Sequence, residues 1–178
     1  VSFLERSATI IEKAIETLKQ TAKPGVSEKE VYASMLHTML SNGGELPTLF
    51  FLSAGPSLFN SAFVPTDYII QPGDQIVDEI EAKYGGYAAQ AVCPAVVGKP
   101  NPAYEKMVEV SRACFDAILA AMKPGVTFGK LFETYTRTVE GAGPYSWNHP
   151  MMHARGLGDD GPALMGDKDI ERFSKIEL

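Results

Sequence analysis

The stretch "QIVDEIEAKYGGYAAQAV", Gln75 to Val92, decides how this chain is read. Its residues alternate and are rich in β-branched and aromatic types, which predicts two strands around a turn. The first strand carries Asp78, Glu79 and Glu81, three acids where a half-buried strand tolerates few. With Tyr84-Gly85 as a two-residue turn, Glu79 faces Gln90 and Glu81 faces Ala88. Side chains alternate between faces, so Val77, Glu79 and Glu81 share one side with Ala88 and Gln90, and Asp78 points the other way with Ile76 and Ile80. Two neighbouring carboxylates on one face repel. They are stable together if the face is wet, or if a cation or hydrogen-bond donors stand between them.

The flanking sequence is helical. Leu4, Ala8, Ile11, Ile15 and Leu18 form one stripe that ends at Pro24-Gly25. Ser27 and Glu30 have the spacing of a capping box, with Val26 placed to staple onto Val31. The second helix carries Val31, Met35 and Met39 and stops at Asn42-Gly43-Gly44. "LPTLFFL" (46–52) is expected as a buried strand and 53–67 as a turn-rich loop. Met107, Val110, Cys114, Ala117 and Ala121 mark a third helix, and Thr127 opens a fourth that runs to about Val139. From Gly141 the chain is rich in Gly and Pro and is expected to hold loops and one short strand. The junction "KPGVS" (23–27) recurs as "KPGVT" (123–127). Each copy follows a long helix, places Val before a hydroxyl N-cap, and leads into a second helix. An internal duplication of a two-helix unit is expected, each copy followed by strands. Helices then strands, twice, makes an α+β domain with pseudo-twofold symmetry.

A length of 178 residues is enough for one domain with a substantial core, expected here over 1–178. A net charge of −6 argues against binding nucleic acid or an anionic membrane, and no apolar run approaches the ~18 residues of a span. "VSFLERSATI" lacks the basic start and cleavage site of a signal peptide. Cys93 and Cys114 fit neither CxxC nor metal spacing and are expected as reduced core thiols of a cytoplasmic protein. Of the histidines, His37 lies mid-helix and is expected to be structural or exposed. His149 and His153 flank Pro150, which breaks a helix, so they are not expected to ligate one ion together.

"PGDQIVDEIEAKYGGY", "VVGKP", the "KPGV[ST]" junctions and "HARGLG", in this order and spacing, resemble the pita-bread hydrolases, the superfamily of creatinase, proline peptidases and methionine aminopeptidases. The resemblance runs from about Leu4 to the end of the chain. It implies duplicated helix-helix-strand units around a curved antiparallel sheet, a homodimer, and a peptide or small-molecule substrate. In metallopeptidase members a pair of divalent ions (manganese, cobalt or zinc) activates a water. Carried over, the metal ligands fall on Glu79, Gln90 and His153, and Gln90 departs from the pattern because a neutral amide replaces a carboxylate. A second histidine expected seven residues after His153 falls on Asp160, and a histidine expected before Pro65 is absent. Two further glutamate ligands are expected beyond Leu178, so the chain is expected to lack C-terminal strands and an N-terminal domain.

Three functions follow as expectations. The first is a hydrolase of the Xaa-Pro dipeptidase or aminopeptidase type with a degenerate metal site, in which Glu79, His153 and Asp160 are catalytic. The second is a metal-independent, creatinase-like C–N hydrolase, with no metal cofactor, in which Glu79 and Glu81 orient or protonate substrate and His153 is the acid–base. The third is a non-catalytic module that binds a peptide or protein. Tyr87, Trp147, Arg155 and Glu81 are candidate substrate contacts, Arg155 pairing with a carboxylate of the substrate or of Asp160.

Overall fold

The structure, a computed structural model, describes residues 1–56, 64–145, 152–157, 163–164 and 167–177. The elements in order are α1 (Ser2–Thr21), α2 (Glu28–Ser41), β1 (Phe50–Gly55), β2 (Gln75–Tyr84), β3 (Tyr87–Ala91), β4 (Ala95–Val96), α3 (Pro102–Ala121), α4 (Phe128–Ala142), β5 (Met152–His153), β6 (Ala163–Leu164) and α5 (Asp167–Phe173). They divide into two compact units, Val1–Pro100 with Arg155–Gly158, and Asn101–Ala154 with Asp159–Leu178.

In the first unit, β1, β2 and β3 form an antiparallel sheet in that order, and β4 pairs with the start of β2. Helices α1 and α2 bury one face of it. Ile10, Ile11, Ala14 and Leu18 of α1 join Val31, Met35 and Met39 of α2, and together they pack on Leu52, Ile76, Ile80 and Ala82. The α1 stripe is rotated from the expected one: Ser7, Ile10 and Ala14 are buried and Ala8 is exposed. The rotation lets the Ser7 hydroxyl donate to the carbonyl of Tyr87 at 2.9 Å, pinning the helix to the hairpin. Strand β1 begins four residues later than expected, at Phe50, because the Thr48 N–H is donated to a side chain, the Glu81 carboxylate, instead of a neighbouring strand.

The repeat is built as the sequence predicts. Both ends of α3 lie 100 residues after those of α1 (102 − 2 and 121 − 21). Ser27 and Glu30 form the reciprocal capping box on α2, and Thr127 accepts from the N–H of Lys130 at 3.2 Å. Val26 packs with the cluster that holds Val31, and Val126 with the one that holds Leu131. Each second helix is crossed at its start by an extended segment. The Glu28 N–H donates to Tyr68 O and the Phe128 N–H to Ile176 O, both at 3.0 Å. In the second unit the approach is so close that a Cβ on Gly129 would lie 2.9 Å from Ser174 O, hence the glycine. Helix α5 and strands β5 and β6 fall in the Gly- and Pro-rich region, where one short strand was expected.

Two buried acids lie on the helix side of the first unit. Glu28, the first residue of α2, is 2% exposed. Its Oε1 accepts from Ala54 N at 2.6 Å, and its Oε2 from Thr66 N at 2.6 Å and Thr66 Oγ1 at 2.7 Å. The helix N-terminus favours that negative charge. Its counterpart in the second copy is Phe128, an apolar core residue 5% exposed. Asp78 is 1% exposed; its Oδ1 accepts from Cys93 N at 2.7 Å and its Oδ2 has no partner among the described residues. Burial pushes the Asp78 carboxyl up to about 7, against the opposing pull of the Cys93 N–H.

Two stability measurements follow. Glu28→Gln turns an acceptor into a donor facing N–H and O–H groups, and is expected to lower the unfolding free energy by about 2–3 kcal/mol in denaturant titrations. For Asp78 the folded group holds its proton more tightly than the unfolded one. Its contribution is therefore fully present below pH 4 and is lost as pH rises to about 7. Wild-type protein is expected to lose roughly 3 kcal/mol between pH 5 and pH 8 relative to Asp78→Asn; parallel pH curves would contradict this.

Candidate active-site hairpin

The hairpin turns at Gly85-Gly86, both at positive φ (59° and 80°), a backbone region that glycine enters freely. Tyr84 therefore pairs with Tyr87, and Glu81, not Glu79, stands directly opposite Gln90. The expected register is off by two. An even slip leaves every side chain on its assigned face, so Glu79, Glu81 and Gln90 still share the face away from α1 and α2. Glu79 now lies diagonal to Gln90 and opposite Phe51 of β1.

These side chains form one network. The Gln90 amide nitrogen donates a short hydrogen bond to Glu79 Oε1. The Gln90 carbonyl oxygen accepts from Arg155 Nε at 3.3 Å. A second nitrogen of Arg155 lies 3.0 Å from Glu81 Oε2, and the two side chains are 11% and 0% exposed. Glu81 Oε1 accepts from both the backbone N–H (2.7 Å) and the hydroxyl (2.6 Å) of Thr48. The segment bearing Arg155 is held by the hairpin itself, through the Ala88 N–H donating to Gly156 O at 2.7 Å. Both conditions for adjacent acids are thus met: a guanidinium serves Glu81 and an amide serves Glu79.

Several expectations change. Glu81 is not available to substrate, since it is fully buried and doubly engaged. Arg155 pairs with Glu81 across the sheet face; its expected pairing with Asp160 falls outside the described residues. Tyr87 is one residue from Ala88, so alternation turns it to the helix side, where its ring packs against Phe3 at 5.8 Å between centroids. That removes it from the candidate pocket. His153 lies on β5 in the second unit, exposed, with its Nδ1 3.4 Å from the carbonyl of Ala154. His37 is exposed on α2. Trp147, His149 and Asp160 lie outside the described residues. Sequence reasoning missed Thr48 and Glu28. For Glu28 a signal existed: the capping box uses only Glu30, leaving a second acid on the first helical residue.

A divalent metal pair makes specific demands on the donor set. Such ions favour ionised carboxylates and imidazole. On the hairpin, Gln90 offers a neutral amide whose oxygen is already taken by Arg155, and Glu81 is taken by Arg155 and Thr48. On this face of the hairpin, Glu79 alone keeps an oxygen with neither a hydrogen bond nor an ion pair among the described residues. Among the described residues no group of three or more His, Cys, Asp or Glu is placed to hold a metal ion. The hairpin residues do not fit a two-metal centre.

Comparison with known proteins places the chain. Residues 2–172 match metallopeptidase family M24. The Xaa-Pro dipeptidase of Pyrococcus horikoshii is 29% identical over 163 residues, which is 88% of this chain and 45% of that protein. The prolidase from Pyrococcus furiosus superposes with a TM-score of 0.81 at 23% identity, over 99% of this chain and 52% of that one. The X-Pro aminopeptidase from Thermotoga maritima gives 0.81 at 24% identity, over 92% and 47%. The chain spans about half the length of the curated relatives it matches. With its capped helix pairs, acid-bearing hairpin and these likenesses, the chain belongs to metallopeptidase family M24 and has the pita-bread fold.

Proposed function

We propose that this chain is part of the catalytic domain of a hydrolase that cleaves the C–N bond of a peptide or related amide, of the Xaa-Pro peptidase type. The observation that carries the reading is the state of Glu79. One of its oxygens is fixed by the Gln90 amide, and the other makes no hydrogen bond among the described residues on a half-buried stretch of the sheet face. A carboxylate oriented in this way can act as a general base. It takes a proton from a water as that water adds to the carbonyl carbon, then returns the proton to the amine nitrogen as the C–N bond breaks. No step is routed through a hairpin metal, because Gln90 and Glu81 are already committed. This favours the metal-independent form of the reaction. His153 enters by sequence correspondence, in the setting His153-x-x-Gly156-Leu157, and Asp160 by its spacing from it.

The test is hydrolysis of Xaa-Pro dipeptides, other dipeptides and simple amides by the full-length protein, with and without chelator. Glu79→Gln is expected to lower kcat by about 10²–10⁴-fold with KM little changed, and activity is expected to survive chelation. A fully active Glu79→Gln protein would remove Glu79 as the base. Activity abolished by chelator and restored by manganese would return the reaction to a metal. His153→Ala, assayed in parallel, tests the histidine on its own: unchanged activity would leave it no catalytic role.

A further inference from the structure

Gln90 has two chemically opposite ends, and both are in use. A guanidinium is a donor only and a carboxylate an acceptor only. Arg155 therefore holds the carbonyl end of Gln90, and the amide nitrogen is turned toward Glu79. Arg155 is itself anchored by the buried Glu81, and Glu81 by Thr48. Each member fixes the next, from the backbone of Thr48 to the carboxylate of Glu79.

We infer that Arg155 is the resident cation of this hairpin, a positioning residue that locks the Gln90 amide and bars a divalent ion from the Glu79–Gln90 position. The lock acts in two ways. Coordination through the Gln90 oxygen would require breaking its contact with Arg155 and turning the amide. A divalent ion would also sit beside a guanidinium that already compensates one of the two acids, and like charges at that range repel. Neither barrier comes from Gln90 alone. On charge alone, Gln90→Asp would raise metal affinity. With Arg155 in place, the new carboxylate is drawn into a charge-assisted pair with the guanidinium instead. Removing Arg155 by itself would strand the buried charge of Glu81, which is strongly destabilising. The two must go together.

The inference concerns binding and holds whether or not the chain is a hydrolase. Calorimetric titration of the full-length protein with manganese, cobalt or zinc chloride compares wild type, Gln90→Asp, and the triple variant Glu81→Gln/Gln90→Asp/Arg155→Met. Gln90→Asp is expected to match wild type, and the triple variant to bind at least about tenfold more tightly. A tenfold gain in Gln90→Asp alone, or a triple variant no tighter than Gln90→Asp, would overturn the lock. A second readout needs only variants that keep the charge balance of Glu81. The Gln90 side-chain amide resonances, identified by their loss in Gln90→Asp, are expected to exchange slowly with solvent in wild type. In Arg155→Lys, which keeps the charge but cannot bridge Glu81 and Gln90 with a rigid fork, they are expected to shift and exchange faster. A Gln90 amide that exchanges rapidly in wild type, or is unchanged in Arg155→Lys, would equally overturn it.

Discussion

A carboxylate with no exposed surface needs compensating partners, and Glu81 finds them in the Arg155 guanidinium and in Thr48. This constraint organises the candidate site. It draws a segment from late in the chain onto a hairpin from its middle, and the Ala88–Gly156 hydrogen bond registers the two backbones. It orients Gln90, and through Gln90 it leaves Glu79 with one oxygen held and one available. The opposite face of the same strand follows a different rule. There, among the described residues, Asp78 has a single N–H partner and one oxygen with none, and burial favours its protonated form. The pleat thus sends neighbouring acids on one strand to different surroundings.

Much of this was legible because the relevant periods are short. The capping box, the staple and the Gly turns are local, and the two PGV junctions announced the duplication before any strand was placed. Alternation alone assigned the acids to their faces, and it survived a register error because that error was even. The residues that gave the site its character were not local. The ion pair of Arg155 with Glu81 links residues 74 positions apart (155 − 81), a distance over which the sequence gives no pairing signal. Thr48 gave no signal, since its role depends on an N–H that leaves the strand ladder. Tyr87 was misjudged where alternation already held the answer: its neighbour Ala88 faces the acids, so the ring must face the helices.

The fold and a metal pair make separate physical demands on the sequence. The fold needs helix caps, a close crossing at Gly129 and an apolar layer under the sheet, and this chain supplies all of them. A metal pair needs a concentration of uncompensated negative charge on the other face. On this hairpin that face carries one amide and one guanidinium among its acids.

The two copies of the repeat also differ at one matched position. Where α2 begins with Glu28, gathering the N–H groups of Ala54 and Thr66, α4 begins with Phe128, packed beside Leu131. Apolar burial weakens on cooling, whereas a fully hydrogen-bonded carboxylate depends little on that driving force. The same backbone junction is therefore closed in the first half by a polar clasp and in the second by a hydrophobic plug, so the first signs of cold-induced loosening belong at the junction before α4.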